Sequence, residues 1–314
     1  MSYAFCLSKN YVRDWSNRDA FRELYQNWKD GILASFHLDQ RDFRPEIEYR
    51  PNETQTRLYH PHNIRDGTRE LLGYIIHKKR TGGLELSNFD ARLTSRDLDF
   101  GGTTKQGDNK SLAGQHGEGL KIAALVLRRK GFRVQMVSSK YNFNFGFRGA
   151  CKSRMYCKLS PISPATLAKK KQTCRPNKPG DLISDPSKDV SVFITKGRGA
   201  SGVKVTLDEF QQWRRVALEL DMPSPQNIIQ TDHGDLILDR GKYKDRMYLK
   251  GILLSRPGSK GREFWYGYNL LAGETNRERQ SLASPEEEAL LVTKIWAAAI
   301  EMAEQASFKN IRTC

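Results

Sequence analysis

Two groups of residues in this chain have the types and spacing to do chemistry. The first is Glu23, Asn27 and Asp30, which recur at i, i+4 and i+7 and so share one face of a helix. Two acids and an amide beside an apolar stripe are an unusual combination, although a plain solvated helix face would also account for them. The second is "LAGQHGEGLKIAALVLRRKG", Leu112 to Gly131, where Gly114, Gly117 and Gly119 come just before a long apolar run. Glycine this dense marks backbone shapes that other residues do not adopt. The run Ile122 to Leu127 reads as a buried helix by its length and its alanines. The glycines therefore fall where a loop becomes a helix N-terminus, a place that offers free N–H groups and the positive end of a helix dipole to a phosphate. A glycine-rich turn without ligand is the alternative.

The elements that must position these residues can be read along the chain. Ser16 is placed to cap a helix, with Asp19 in the reciprocal position. Phe21, Leu24 and Trp28 then recur at helical spacing and should face a core. Residues 37–70 are polar, with Pro45, Pro51 and Pro61, and read as a hairpin or an irregular insertion. Residues 67–79 fit a helix or a strand equally. "GGLELSNFD" reads as a strand into a turn, "LTSRDLDFGG" as a capped helical turn and loop, and residues 131–148 as a two-stranded hairpin. Residues 151–189 are rich in Lys, Pro and Ser and read as a long exposed basic loop. "VSVFITKG" and "GVKVTL" read as strands and "DEFQQWRRVALEL" as a helix. "MPSPQN" marks a boundary between domains at 1–222 and 223–314. Beyond it, "DLILDR", "RMYLKGILLS" and "REFWYGYNLL" read as strands, and a helix from about Ser284 to Ala306 opens with a serine cap, a proline and three acids.

Composition narrows the class. Hydrophobic residues make up 38% of the 314 and aromatics 10%, enough for a substantial core. No apolar run approaches the length of a membrane span and the N-terminus lacks a signal-peptide core, so the expectation is an intracellular protein of the cytoplasm or nucleus. Lys and Arg exceed Asp and Glu by 52 to 36, a formal charge of +16, which favours polyanions, nucleic acid among them. The five cysteines include no C-x-x-C pair, which argues against a zinc ribbon or a disulfide framework. His60, His62 and His77 lie in segments too uncertain to support a phospho-acceptor.

The glycine segment is neither of the two best-known phosphate loops. Gly114 and Gly119 have the P-loop gap, but Leu120 separates Gly119 from Lys121, and Ile122 replaces the hydroxyl residue. The order G-x-x-G-x-G also differs from the dinucleotide fingerprint. What does fit is the order of several motifs. "FRELYQNWKDG" looks like an E-x-x-x-N-x-x-D box, "FGGTTK" like a Gly-Thr-Ser-Lys segment, and "LAGQHGEGLKIAA" like a second glycine box. Together they resemble the GHKL superfamily of DNA gyrase B, the ninety-kilodalton heat-shock chaperones, histidine kinases, MutL and MORC proteins, nearest in feel to the MORC-like or chaperone-like members. The resemblance covers residues 14–148 and extends toward Leu207.

The resemblance implies an α/β (α+β) fold: a Bergerat-type sandwich of helices on a mixed β-sheet, followed by a smaller transducer-like region. It also implies an ATP site. Asn27 would ligate Mg2+ through its oxygen, Glu23 would accept a proton from the attacking water, and Asp30 would orient ligands or the purine. Gly114, Gly117 and Gly119, with Leu120, would turn backbone to the phosphates, and Thr104, Lys105 and Lys121 would add polar and cationic contacts. The first glycine box departs from the family pattern. Asn88 stands where the adenine-binding aspartate belongs, Asp90 at the first glycine and Arg92 at the second. Asn88 can accept from the adenine amino group without bringing charge, or Asp90 supplies the carboxylate through a shifted turn. Lys250, with Arg277 and Arg279 behind it, is a candidate to reach the terminal phosphate, although a strand lysine is more often a solvated edge charge. Three functions stay open: a slow Mg2+-dependent ATPase whose lid near residues 101–116 closes on ATP and brings two chains into a homodimer, a catalytically degenerate scaffold of the same fold, and a basic nucleic-acid-binding protein.

Overall fold

A computed structural model describes residues 2–65, 68–91, 119–149, 152–173, 182–199, 201–254, 263–276 and 281–312. Thr104, Lys105, Gly114, Gly117, Arg92, Arg277 and Arg279 lie outside the described residues, as do "LTSRDLDFGG" and the expected lid. The chain divides into two compact units, Met1–Arg214 and Arg215–Cys314.

In the first unit the elements run β1 Ser2–Ser8, α1 Asn17–Phe36, β2 Glu46–Tyr49, β3 Glu53–Arg65, β4 Thr68–Lys78, β5 Gly83–Asn88, α2 Gly119–Arg129, β6 Phe132–Ser138, β7 Tyr141–Arg148, β8 Arg154–Pro161, α3 Pro164–Thr173, β9 Val190–Lys196 and α4 Leu207–Arg214. The nine strands form one sheet in the order β1-β8-β7-β6-β9-β5-β4-β3-β2. Every pairing in it is antiparallel.

Strand alternation decides what each face of this sheet carries. One face presents Leu84 and Leu86 of β5, Val134 and Met136 of β6, Phe143 and Phe145 of β7 and Ile194 of β9, all buried beneath the helices. α1 packs against β5 and α2, and α2 against β6 and β7. The other face carries Tyr74, Glu85, Ser87, Ser191, Arg133, Asn144 and Lys158.

α1 starts as its sequence dictates. Ser16 Oγ accepts from the Asp19 N–H and the Ser16 N–H donates to Asp19 Oδ2 at 2.9 Å, a reciprocal capping box. The helix ends where His37 turns left-handed at φ 51°. Phe21, Trp28 and Ile32 are fully buried. Trp28 meets Phe43 edge-on at 5.6 Å, and Phe21 packs on Trp213 of α4 at the same separation.

Residues 67–79, ambiguous as sequence, form a strand because β3 and β5 flank them on both sides. β3 carries Pro61, which has no N–H for a ladder. Pairing with β4 accordingly skips from Tyr59 to Ile64, and the His60 ring caps the gap by accepting from the His62 and Asn63 N–H groups. His77 is a core residue. Its Nε2 lies 3.0 Å from the Val205 carbonyl, which can only accept, so Nε2 carries the proton. Its ring stacks on Phe210, and burial holds its pKa below the usual histidine range.

Three sequence expectations need correction here. Residues 151–189 are not one loop, because they contain β8 and α3. The alternation Met155, Cys157, Leu159 buries three side chains and builds the strand. "GVKVTL" forms no strand; the Val203 and Val205 N–H groups donate instead to the carbonyls of Gly131 and Gly82. In the second unit "RMYLKGILLS" is two short strands rather than one.

That second unit contains β10 Ile228–Thr231, β11 Gly234–Ile237, α5 Arg240–Tyr243, β12 Met247–Leu249, β13 Ile252–Leu253, β14 Gly267–Leu270 and α6 Pro285–Arg312. The sheet order is β10-β11-β14-β12-β13, and its β12–β14 pair is parallel. Lys250 and Gly251 both take positive φ, 50° and 77°, the two-residue turn that folds β12 back onto β13. Lys250 is 5% exposed and its N–H donates to Leu270, so it is not the solvated edge charge expected for a strand lysine. Ser284 caps α6 by accepting from the Glu287 N–H, and Leu291, Ile295 and Ala299 pack on this sheet. No helix among the described residues is long and apolar enough to cross a membrane.

Candidate functional site

The α1 residues are positioned from both ends of their face. Glu23 and Asp30 are both 0% exposed and Asn27 is half-buried, so this is not a solvated helix surface. Arg22 Nη2 donates to Glu23 Oε1 at 3.4 Å. Asn27 Nδ2 donates to the Glu23 carbonyl one turn back at 2.8 Å. A carbonyl cannot donate, so this bond fixes which way round the Asn27 amide sits. Oδ1, the atom a hard cation would take, is turned away from its own helix backbone. Lys29 is buried with its ammonium over the Phe43 ring at 5.1 Å.

α2 supplies the opposing side. Gly119, Leu120 and Lys121 form its first turn, as expected from the glycines that precede them. Ile122 to Leu127 are all buried, and α2 packs directly on α1. Lys121 is 1% exposed, a degree of burial that a lysine holds only with compensation for its charge. The structure therefore brings the helix of Glu23, Asn27 and Asp30 against the helix that the glycine segment enters.

Asn88 ends β5 and Asp90 follows it, both against the Trp28–Ser35 stretch of α1. Asn88 Nδ2 donates to the Trp28 carbonyl, and Trp28 Nε1 donates back to the Ser87 carbonyl at 2.9 Å. This close approach depends on Gly31, where a Cβ would lie 2.9 Å from Asn88 Nδ2. The Asn88 amide nitrogen is thus part of the α1–β5 junction, and Oδ1 is the atom left to accept from a ligand. Asp90 sits in a left-handed turn at φ 49°. Its N–H donates to Asp189 Oδ1 at 3.1 Å, and Ser35 Oγ donates to its carbonyl at 3.3 Å.

Asp189 was not picked out from the sequence. It enters through strand pairing, since β9 runs beside β5 with Val190 opposite Asn88. Its second oxygen accepts from the Asp185 N–H at 2.6 Å. Burial pushes its carboxyl up to about 6, and the charges of Asp90 and Asp185 push the same way. A motif search could not find it, because the Ser- and Lys-rich segment before it reads as loop.

Behind this rim, on the far side of β5, lies a second buried polar group. Tyr74 Oη donates to Glu85 Oε1 at 2.8 Å and Ser87 Oγ to Ser191 Oγ at 2.9 Å. Burial raises both the Tyr74 and the Glu85 pKa.

No protein-family model matches the sequence, and no curated protein matches it. Among solved structures, the ATPase and transducer domains of DNA topoisomerase II from Balamuthia mandrillaris are similar at 13% identity and a TM-score of 0.42, over 93% of this chain and 85% of that one. The ATPase region of Saccharomyces cerevisiae topoisomerase II, solved with ICRF-187 (dexrazoxane), is similar at 10% identity and a TM-score of 0.42, over 92% and 86%. The B-subunit of DNA gyrase from Myxococcus xanthus is similar at 8% identity and a TM-score of 0.34, over 89% of each chain.

Proposed function

We propose that the protein binds ATP with Mg2+ between α1 and the glycine segment that enters α2, and that it turns ATP over slowly. The observation that carries this reading is the α1 face itself. Glu23 and Asp30 are buried, and the bond from Asn27 Nδ2 to the Glu23 carbonyl leaves Oδ1 facing away from its helix backbone. An amide oxygen with carboxylates one turn to either side is a donor set that suits a hard cation. Magnesium held by Asn27 Oδ1 would offset phosphate charge. The glycines would present N–H groups to the phosphates and Lys121 would add a cation. Asn88 Oδ1, with the Asp90 turn pinned by Asp189, would meet the base. Phosphoryl transfer asks mainly for positioning and charge stabilisation, which this inventory provides.

A second reading is favoured by Glu23. A carboxylate that must take a proton from water is here fully buried and held by Arg22. That arrangement suits a protein that binds nucleotide and uses it to set conformation without hydrolysis.

Thermal unfolding with and without Mg-ATP tests both. ATP at a hundred times its Kd should stabilise the wild type by about 2.7 kcal/mol, and Asn27→Ala should abolish that shift. Phosphate release that stops in Glu23→Gln with the shift retained supports turnover. A shift without phosphate release in the wild type supports the holding reading. No shift in the wild type rules out both.

A further inference from the structure

A cationic cleft that the nucleotide reading does not use opens where β6 and β7 part, lined by the end of α2 and by strand residues of both sheet faces. The β6–β7 ladder stops at Gln135–Asn144, while β6 continues on β9 and β7 continues on β8. Where the two strands part, a cleft of about 530 Å³ opens, with Val134 and Phe145 in its lining. Four cations line it: Arg128 from the end of α2, Arg133 from β6, Lys158 from β8 and Arg198 from the loop after β9. Asn144, Ser160 and Ser201 add polar groups, and no carboxylate is among the described residues that line it.

The charges are held there by backbone packing. A Cβ on Gly197 would lie 1.9 Å from the Gly131 carbonyl oxygen, and one on Gly202 would lie 2.1 Å from that of Gly197. Val203 N–H donates to the Gly131 carbonyl, and Gly202 N–H to that of Gly199. Gly197 and Val203 are thereby clasped to Gly131 of the α2–β6 turn, which holds Arg198 at the cleft. The segment "GRGASG", 197–202, has the spacing G-x-G-x-x-G, but it follows β9, a strand paired antiparallel on both sides, and reaches α4 only at Leu207, so it is not a dinucleotide loop.

Arg128 donates from Nη1 to the Phe132 carbonyl at 2.7 Å, while its Nε is buried with no hydrogen-bond partner among the described residues. Burial, and the like charges of Arg133 and Arg198, hold its pKa below the usual arginine range. None of the four cations forms an ion pair among the described residues. Like charges gathered without counter-charge repel, and a fold that holds them together leaves their attraction for a ligand of opposite sign.

We propose that this cleft is a binding site for phosphate groups, with Arg128, Arg133, Lys158 and Arg198 as its charged contacts. Arginine suits phosphate oxygens because its planar fork can offer two parallel donors. Phosphate arrives either as a free polyphosphate compound or as the backbone of nucleic acid, and two probes distinguish them.

Binding of inorganic tripolyphosphate is measured by calorimetry, and of a short DNA duplex by fluorescence anisotropy across a salt series, using the full chain. Wild type is compared with Arg133→Gln/Arg198→Gln and with a charge-matched control, Arg18→Gln/Lys188→Gln, at exposed positions elsewhere in the first unit. The cleft variant should bind tripolyphosphate at least about tenfold more weakly, and the control should stay within about twofold of the wild type. If DNA affinity falls in parallel and its log–log salt slope drops by about 2, the phosphates are those of nucleic acid. If DNA affinity is the same in both variants while tripolyphosphate is lost only from the cleft variant, the ligand is a free phosphate compound. Equal losses in the two variants, or binding of neither probe by the wild type, overturn the proposal. The series is repeated in an Asn27→Ala background. Binding that survives there belongs to the cleft even if ATP binding on α1 has failed, and binding that vanishes there overturns the cleft assignment.

Discussion

The two faces of the nine-stranded sheet use charge in opposite ways. On the helix side, Glu23, Asp30, Lys29 and Lys121 are buried within packed helices, where the Arg22 guanidinium meets Glu23 and the Phe43 ring lies under the Lys29 ammonium. On the other side Arg133 and Lys158, joined by Arg128 from the end of α2 and Arg198 from the loop after β9, converge on a cleft whose described lining residues include no acid. Charges that are buried and compensated can be read as architecture or as a site, and only a ligand decides. Charges gathered without compensation weaken the fold unless something else profits, which makes the cleft the plainer sign of a binding function.

That contrast predicts where substitutions act. The largest loss of stability should come from Trp28→Ala, which removes a 2%-exposed side chain together with its bond to the Ser87 carbonyl. Chemical denaturation should show a cost of about 3–5 kcal/mol. A cost under about 1 kcal/mol would mean that α1 is not seated on β5 as described. Next comes the rim. Asp189 has a raised pKa in the folded protein, so folding takes up a proton as pH falls through the interval from the ordinary aspartate range to about 6. Its contribution is therefore favourable at low pH and is lost as pH rises through that interval, by roughly 3 kcal/mol in all. In Asp189→Asn the fall should be missing, which unfolding curves between pH 4 and pH 7 would reveal; curves of equal slope for the two proteins would contradict the burial of this carboxyl.

Asn27→Ala should cost only about 1 kcal/mol, the net worth of one helix-surface hydrogen bond, even though it removes the nucleotide-induced shift. The cleft variant Arg133→Gln/Arg198→Gln should lie within about 0.5 kcal/mol of the wild type, or gain stability from the relieved repulsion. A large destabilisation there would make the cleft cations structural and erase the contrast between the faces.

How much of this was legible in the sequence follows the same division. The helix face could be read because its signals are local. Ser16 and Asp19 are three residues apart, the Phe21–Leu24–Trp28 stripe repeats at helical spacing, and Gly119 adjoins the apolar run of α2. The other face could not, because strand pairing gathers Arg133, Asn144, Lys158 and Arg198 from four separate segments, and nothing in any one of them marks the meeting point. Asp189 was hidden likewise, since its partner Asp90 lies far from it in sequence. β8 and α3 were lost to composition, as the lysines and prolines around them outweighed the short alternation of Met155, Cys157 and Leu159. Residues 67–79 could not be resolved at all until their neighbours on both sides were known.

Cys157 gives the sheet edge a clock. It lies on β8 opposite Tyr3 of β1, fully covered, and burial pushes its thiol up to about 12. In that setting the thiolate needed for alkylation hardly forms, and reagent has no path to it. Labelling must therefore wait for an opening that uncovers the helix-side face of β8, so its rate reports how often that part of the core is exposed. A chain in which Cys6, Cys151, Cys174 and Cys314 are replaced by serine would carry this single timer, and its ticking could be followed while either face is occupied.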